Sequence, residues 1–240
     1  MSTFTIHPKD LADLLSNAVD IGKDRPQVSV NSLILLRVTG DWLWAYGRGR
    51  YSAGRDAREL HTDSPFAGEL TLTESECEEL ATVLRGVEGS GRKGTTVTVS
   101  FSHREALRIT AGTDVLCELP DADPASSTFG EPDEVSDWEE IDNLIAVIED
   151  AALTSQRGPW AVSTDILTRL NKIRTTTHVA DFATHPRGRI AGVALGSTFR
   201  AVVAGVGREG YSQGGAWGDG PGQADHLWGH LAALEAESPS

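Results

Sequence analysis

Along the first 119 residues the spacing of apolar positions changes in a fixed order, and the same order then recurs. Thr3 to Ile6 reads as a short strand. Pro8 suits the first turn of a helix, and Leu11, Leu14, Leu15 and Ala18 follow at helical spacing. Ser32 to Val38 and Trp42 to Tyr46 read as strands around a Thr39-Gly40-Asp41 turn, and an Arg-rich extended stretch runs from Gly47 to Glu59. The second round opens with a strand from Gly68 to Leu72. Thr73 can cap a helix that carries Cys77, Leu80, Ala81 and Leu84 on one face, and Glu76 stands where a capping box needs it. Thr95 to Phe101, Arg104 to Thr110 and Val115 to Leu119 read as short strands separated by Ser102-His103 and Gly112-Thr113. Two units of strand, helix and three strands predict an α+β fold.

The pattern breaks between Pro120 and Ser136, where prolines, serines and acids alternate without hydrophobic period, as in a solvated connector. Beyond it, Trp138, Ile141, Leu144, Ile145 and Ile148 predict a helix whose other face is Glu139, Glu140, Asp142, Glu149 and Asp150. No three strands follow it. Trp160 to Ser163 reads as a strand and Asp165 to Arg174 as a helix with Ile166, Leu167, Leu170 and Ile173 inward. Val179 to Phe182, Arg189 to Leu195 and Phe199 to Val203 read as strands. The expected organisation is a first domain over 1–119, an acidic connector over 120–136, and a reduced second domain over 137–204. A Gly-rich segment with a short amphipathic piece, His226 to Leu234, occupies 205–240.

Charge sharpens this division. The 240 residues carry 21 basic and 35 acidic side chains, a formal net charge of −14. Residues 1–119 hold 13 basic and 17 acidic groups, 120–159 hold 1 and 11, and 160–240 hold 7 and 7. The acidity is concentrated in one central block, so either flank can present a locally positive surface. No apolar run approaches the roughly twenty residues a membrane span needs. Met1-Ser2-Thr3-Phe4 lacks a basic region followed by an apolar stretch. The expectation is a protein of the cytoplasm, bacterial or phage-infected, with no membrane partner. Cys77 and Cys117 stand far apart, which suggests two reduced thiols rather than a zinc site or disulfide.

Two stretches carry a family resemblance. Phe4 to Val19, followed by Arg25-Pro26 and by Asn31 to Ala45, resembles the first half of a DNA polymerase sliding-clamp domain. Gly68-Glu-Leu-Thr-Leu72 with its helix, and Ala106 to Pro120, resembles the second half. The resemblance is to the bacterial β-clamp, or processivity-factor, family in a compact two-domain version of phage type. It covers about half the chain and rests on apolar and turn patterns. It implies a DNA-clamp fold of repeated strand-helix-three-strand units with a reduced second domain. Sliding clamps are non-enzymatic rings whose helices line a central hole around duplex DNA while their strands form a continuous outer layer. The implied partners are duplex DNA bound without sequence preference, a DNA polymerase and a clamp loader. With two domains per chain, a homotrimer would supply six. The alternative is a clamp-fold interaction module that binds replication or host proteins without encircling DNA.

A clamp holds DNA through phosphate contacts that do not read bases. The candidates are Arg169, Lys172 and Arg174 on or ending the fourth helix, Lys23 and Arg25 after the first, and Arg85, Arg92 and Lys93 after the second. Cations near helix C-termini also complement the macrodipole, which is the commoner role for any one of them. Asp10, Asp13 and Asp20 on the first helix, and Glu74, Glu76, Glu78 and Glu79 on the second, run against a DNA-lining role. Arg48, Arg50, Arg55 and Arg58 mix with Tyr51 in extended chain, as a strand-gripping surface could, although a solvated strand face or a subunit contact fits a clamp better. Phe129 in the connector and Gln223 to Trp228 near the end offer weaker partner motifs. His226 and His230 have helical metal-ligand spacing without the glutamate of a zinc protease. No dinucleotide fingerprint, phosphate loop or nucleophile elbow is present, so no catalytic residues, cofactor or metal are expected.

Overall fold

The computed structural model describes residues 2–23, 33–49, 52–60, 66–89, 96–121, 138–152, 164–175, 180–184 and 190–204. Up to the connector, the chain forms β1 (Ser2–Ile6), α1 (Pro8–Gly22), β2 (Leu33–Gly40), β3 (Trp42–Arg48) and β4 (Ser52–Glu59). It continues through β5 (Phe66–Thr73), α2 (Glu74–Gly89), β6 (Val97–Ser102), β7 (Ala106–Ala111) and β8 (Asp114–Pro120). Beyond it lie α3 (Trp138–Ala152), α4 (Thr164–Leu170), β9 (Ala180–Thr184), β10 (Ile190–Leu195) and β11 (Phe199–Ala204). The architecture is α+β, with antiparallel strand pairing throughout.

The first two units interlock by exchanging their opening strands. β1 pairs with β6 in a four-stranded sheet ordered β1-β6-β7-β8, while β5 pairs with β2 in the other sheet. Neither unit can therefore close its sheet alone. Pro8 occupies the first turn of α1, where its missing N–H costs nothing. The capping box at α2 is formed: Glu76 N–H donates to Thr73 Oγ1 at 3.3 Å, and Thr73 N–H donates back to Glu76 Oε2 at 2.7 Å. Both helices bury their apolar faces in one core with residues of both sheets, among them Leu14, Leu36, Leu70, Leu80 and Phe101. The turn before β7 spans His103 to Glu105, one residue beyond the Ser102-His103 expected, and Arg104 takes the left-handed conformation with φ 51.

β11 continues the second sheet by pairing with β4, at Arg200↔Arg55, Ala201↔Gly54, Val202↔Ala53 and Val203↔Ser52. The result is a seven-stranded sheet ordered β5-β2-β3-β4-β11-β10-β9, with strands from both sides of the acidic connector.

Both faces of this sheet are covered over its middle strands. Ile34, Leu36, Val38 and Ala45 face the α1–α2 core, and Ala201 and Val203 face Ile21, Ile166 and Leu170 of α1 and α4. The alternate residues Leu35, Tyr46, Ala53 and Val202 face the other way, against Trp138, Ile141, Leu144, Ile145 and Ile148 of α3. The resemblance implies all helices on one side and bare sheet on the other. That arrangement holds for α1, α2 and α4 and fails for α3, because β2 and β11 are apolar on both faces and need two covering layers. Small residues permit the closest approaches. A Cβ on Gly47 would overlap the carbonyl oxygen of Ala18 in α1, and one on Gly192 would come within 2.8 Å of Ile148 Cγ2 in α3.

The fourth helix ends at Leu170 rather than Arg174. Asn171 N–H still bonds Leu167 C=O at 3.0 Å, but the next two amides make the shorter i to i−3 bonds of a closing turn, Lys172 to Arg169 C=O at 2.9 Å and Ile173 to Leu170 C=O at 3.2 Å. Leu167, expected inward, is 44% exposed, whereas Ile166 and Leu170 are buried. The expected strand at 160–163, most of the connector and everything beyond 204 lie outside the described residues.

Candidate nucleic-acid interface

α1 is buried on most of its circumference because α2, α4, β3 and β4 all pack against it. Apart from Asp10 in the first turn, what remains open is a narrow stripe through Lys9, Ser16 and Asp20, with the largely buried Asp13 on the same helical face. Cations from other segments gather along this stripe. Arg85 of α2 donates from Nη2 to Ser16 Oγ at 2.5 Å, and Ser16 Oγ in turn donates to Ala12 C=O at 2.8 Å. Arg174 Nε lies 3.6 Å from Asp13 Oδ1, whose other oxygen is 3.5 Å from Lys9 Nζ. Lys172, Arg174 and Lys23 all act electrostatically on Asp20.

Four of the eight cations singled out in the sequence, Lys23, Arg85, Lys172 and Arg174, thus surround one stripe, and they come from three separate parts of the chain. Arg169 is not among them. It lies half-buried with Nη1 3.3 Å from Ser52 Oγ, and because the helix stops at Leu170, Lys172 does not continue its face. Arg25, Arg92 and Lys93 fall outside the described residues, as do Phe129, Gln223 to Trp228, His226 and His230.

The stripe is mixed in sign. Lys23 Nζ sits 2.6 Å from Glu74 Oε1 and 3.0 Å from Glu78 Oε1, and the hydrogen bond to Glu74 raises its pKa above the ordinary lysine value. Burial raises the Asp20 carboxyl above the ordinary carboxylate value, against the lowering pull of Lys172, Arg174 and Lys23. A phosphate approaching these cations competes with carboxylates already in place. Pairs this exposed are worth only about 0–1 kcal/mol each, so the competition is open.

The Arg-rich strand does not act as one surface. Arg55 points to the outer face, with its guanidinium carbon 4.6 Å from the Trp44 ring centroid and Nη1 2.9 Å from Asp142 Oδ1. Arg58 bonds buried Asp56 from Nη1 at 2.8 Å, and Arg50 and Tyr51 are outside the described residues. Burial raises the pKa of both cysteine thiols, and Cys77 is wholly enclosed. Among the described residues no group of three or more His, Cys, Asp or Glu side chains could hold a metal ion, and no helix is long and apolar enough to cross a membrane.

Sequence reasoning passes over a buried polar cluster behind the stripe. Asn17 and Asp56 are both fully enclosed, and they join α1, β4, the β10–β11 turn and the segment after α4. A signal is present, because Asn17 interrupts the helical series Leu14, Ala18, Ile21 at an inward position.

No protein-family model matches the chain, and neither does any curated protein. Solved structures do. The DNA polymerase III subunit beta of Pseudomonas aeruginosa superposes with a TM-score of 0.55 at 14% identity, over 86% of this chain and 66% of that one. The Helicobacter pylori beta clamp, in complex with 3,4-difluorobenzamide, gives 0.55 at 11% identity over 92% and 66%. The DNA polymerase III beta subunit of Thermotoga maritima gives 0.54 at 10% identity over 86% and 65%. The chain spans about two thirds of the length of these proteins. With two interlocked units, helices packed on the sheets and a third set of strands extending one sheet, the chain has the sliding-clamp fold.

Proposed function

We propose that this chain is a sliding-clamp-like processivity factor, a non-enzymatic protein that encircles duplex DNA as a homo-oligomeric ring and tethers replication proteins to it. The observation that carries the reading is the convergence of Lys23, Arg85, Lys172 and Arg174 on one solvent-facing stripe of a sliding-clamp fold. Cations of this kind attract phosphate without reading bases, and the affinity they give is independent of sequence. The interspersed carboxylates Asp13, Asp20, Glu74 and Glu78 keep that attraction weak, which suits a protein that must move along its track. Arg25, Arg92 and Lys93, which follow α1 and α2 in the chain and lie outside the described residues, are phosphate-binding cations in this proposal. A polymerase and a clamp loader are the protein partners, and three copies per ring is the expected number.

The test has two parts. Mass measurement in solution, with and without a primed circular template, reads ring assembly, and stimulation of the cognate polymerase reads processivity. A chain that stays monomeric and leaves the polymerase unaffected overturns the proposal. Replacing Arg85, Lys172 and Arg174 with alanine should flatten the dependence of DNA affinity on salt, by about 0.9 in log–log slope for each phosphate that is no longer neutralised. Arg169→Ala should change it less.

A second reading is favoured by one specific observation. Asp20, Glu74 and Glu78 stand among the cations of the stripe, and Lys23 is already paired with Glu74 and Glu78, where a DNA-lining surface should be basic. On this reading the chain is a clamp-fold interaction module that binds replication or host proteins without encircling DNA. It would stay monomeric in the mass measurement, with and without the circular template, and still bind its protein partner.

A further inference from the structure

We infer that Asn17 is a positioning residue that holds the Lys172–Arg174 segment against α1, so that cations from beyond the connector join those from before it on one surface. This rests on the DNA-binding reading above and adds to it the device by which the surface is assembled.

After Leu170 a closing turn carries Lys172 and Ile173 packs against the core, but nothing in α4 fixes where the Arg174 backbone goes. Asn17 does. Its Oδ1 accepts the Arg174 N–H at 2.7 Å and its Nδ2 donates to the Arg174 C=O at 2.9 Å, so one side-chain amide grips both polar groups of a single residue's backbone. The remaining donation of Nδ2 goes to Asp56 Oδ2 at 2.8 Å. Both amide protons are used, and the amide plane has no freedom to turn.

Asp56 is anchored in turn. It is fully buried, and its two oxygens accept four hydrogen bonds, from Asn17 Nδ2, Arg58 Nη1, Ala57 N–H at 2.8 Å and Thr198 Oγ1 at 2.7 Å. A carboxylate so enclosed and so fully partnered is rigid, because any movement leaves a donor or acceptor unsatisfied in a low-dielectric interior. The anchor reaches β4 through Asp56 itself and the β10–β11 turn through Thr198. Asn17 lies one turn along α1 from Asp13, which faces the Arg174 guanidinium. Helix α1 therefore engages Arg174 twice, at the backbone through Asn17 and at the side chain through Asp13. The Asp13 contact depends on the charge of the Arg174 side chain, whereas the Asn17 grip is indifferent to the side chain it holds in place. That is the division expected of a positioning contact.

The experiment uses the full chain, a labelled duplex of arbitrary sequence and a salt titration. Asn17→Ala should keep its fold by circular dichroism, lose hydrogen-exchange protection at the Arg174 amide, and bind DNA about as weakly, and with as flattened a salt slope, as Lys172→Ala/Arg174→Ala. The combined variant should be no weaker than either, because both remove the same pair of cations from the surface. Should Asn17→Ala fail to fold, Asn17→Ser takes its place, since a serine hydroxyl can still reach toward Asp56 but cannot span both groups of Arg174. A folded Asn17 variant with unchanged affinity and slope overturns the inference, and so does a loss that adds in full to that of Lys172→Ala/Arg174→Ala. If Arg85→Ala/Lys172→Ala/Arg174→Ala binds like the parent, the DNA-binding reading falls and the inference falls with it. If that triple variant binds weakly while Asn17→Ala binds normally, the inference alone is overturned.

Discussion

The seven-stranded sheet is covered by helix on both faces, but the two coverings are built differently. On the α1 and α4 side, the polar groups that cross the seam are matched: Asn17, Asp56, Ser52 and Thr198 all have partners, and Ser52 Oγ donates to Ile21 C=O at 2.6 Å. On the α3 side, Tyr46 Oη donates to Asp142 Oδ2 at 3.1 Å and Arg55 pairs with Asp142. Yet among the described residues Arg55 Nε and Trp138 Nε1 are buried without a hydrogen bond, and Asp142 Oδ1 is held only by the Arg55 ion pair at 2.9 Å. The first seam is built around an enclosed polar cluster, and the second around an aromatic pair, Tyr46 with Trp138 at 6.5 Å, flanked by the partly exposed ion pairs Arg55–Asp142 and Arg200–Glu149. A seam of matched polar groups fixes a single relative placement, while an apolar one tolerates adjustment.

The sharpest way to break this comparison is to remove one carboxylate from each face. Asp56→Ala leaves the fully buried Asn17 and the half-buried Thr198 and Arg58 without their shared acceptor and should lower stability by about 3 kcal/mol. Asp142→Ala leaves the buried Tyr46 hydroxyl without its acceptor but lets the partly exposed Arg55 reach water, and should cost less, about 1–2 kcal/mol. Denaturant unfolding measures both, and equal losses would erase the distinction. A matched pair of methyl groups sharpens it. In Gly47→Ala the new carbon meets the backbone of α1, which cannot turn aside, and the expected loss is about 3 kcal/mol. In Gly192→Ala it meets Cγ2 of Ile148, a branch fixed to one rotamer in the helix, so relief requires a small shift of α3, and if that seam adjusts the loss should stay near 1 kcal/mol, roughly the low end for overpacking.

The smallest effect is a pH dependence on the α1 side. Burial raises the Asp20 carboxyl in the folded chain, so that group favours folding fully below its unfolded value of about 4, and the contribution is lost as pH rises through the folded value. Asp20→Asn should therefore match the parent in melting temperature near about pH 4 and exceed it as pH approaches about 7. A variant that is less stable than the parent at neutral pH would show that Lys172, Arg174 and Lys23 outweigh burial at this position.

Much of this molecule is written in local pattern. The capping box at Thr73 and Glu76, the apolar stripes of α1 and α2, and the strands of the first two units follow from spacing alone, because each is decided by neighbours within a few residues. The position of α3 is not local. Its stripe of Trp138, Ile141, Leu144, Ile145 and Ile148 requires a partner surface without saying which, and the missing half of the statement lies roughly a hundred residues earlier. There Leu33-Ile34-Leu35-Leu36 runs apolar without alternation, the mark of a strand buried on both faces. Spacing overruns the end of α4 for a related reason. Ile173 keeps helical spacing and still packs against the core, but the Arg174 backbone is held by Asn17, 157 positions away, a contact that no window of sequence contains. Leu167 points inward under the same extrapolation and lies at the surface. The site is legible as a set of cations recurring after helices. It is not legible as a stripe, since that depends on how α4 lies beside α1.

The ladder between β4 and β11 has a consequence for how the chain is held together. Asp121 and Trp138 bound a stretch that links the two parts covalently, but the parts are also joined by backbone bonds and by apolar cores on both sides of the sheet. Continuity of the polypeptide there is not what keeps them associated. Two separately expressed fragments, divided within that stretch, carry complementary halves of one β-sheet and have the means to reassemble as a split protein.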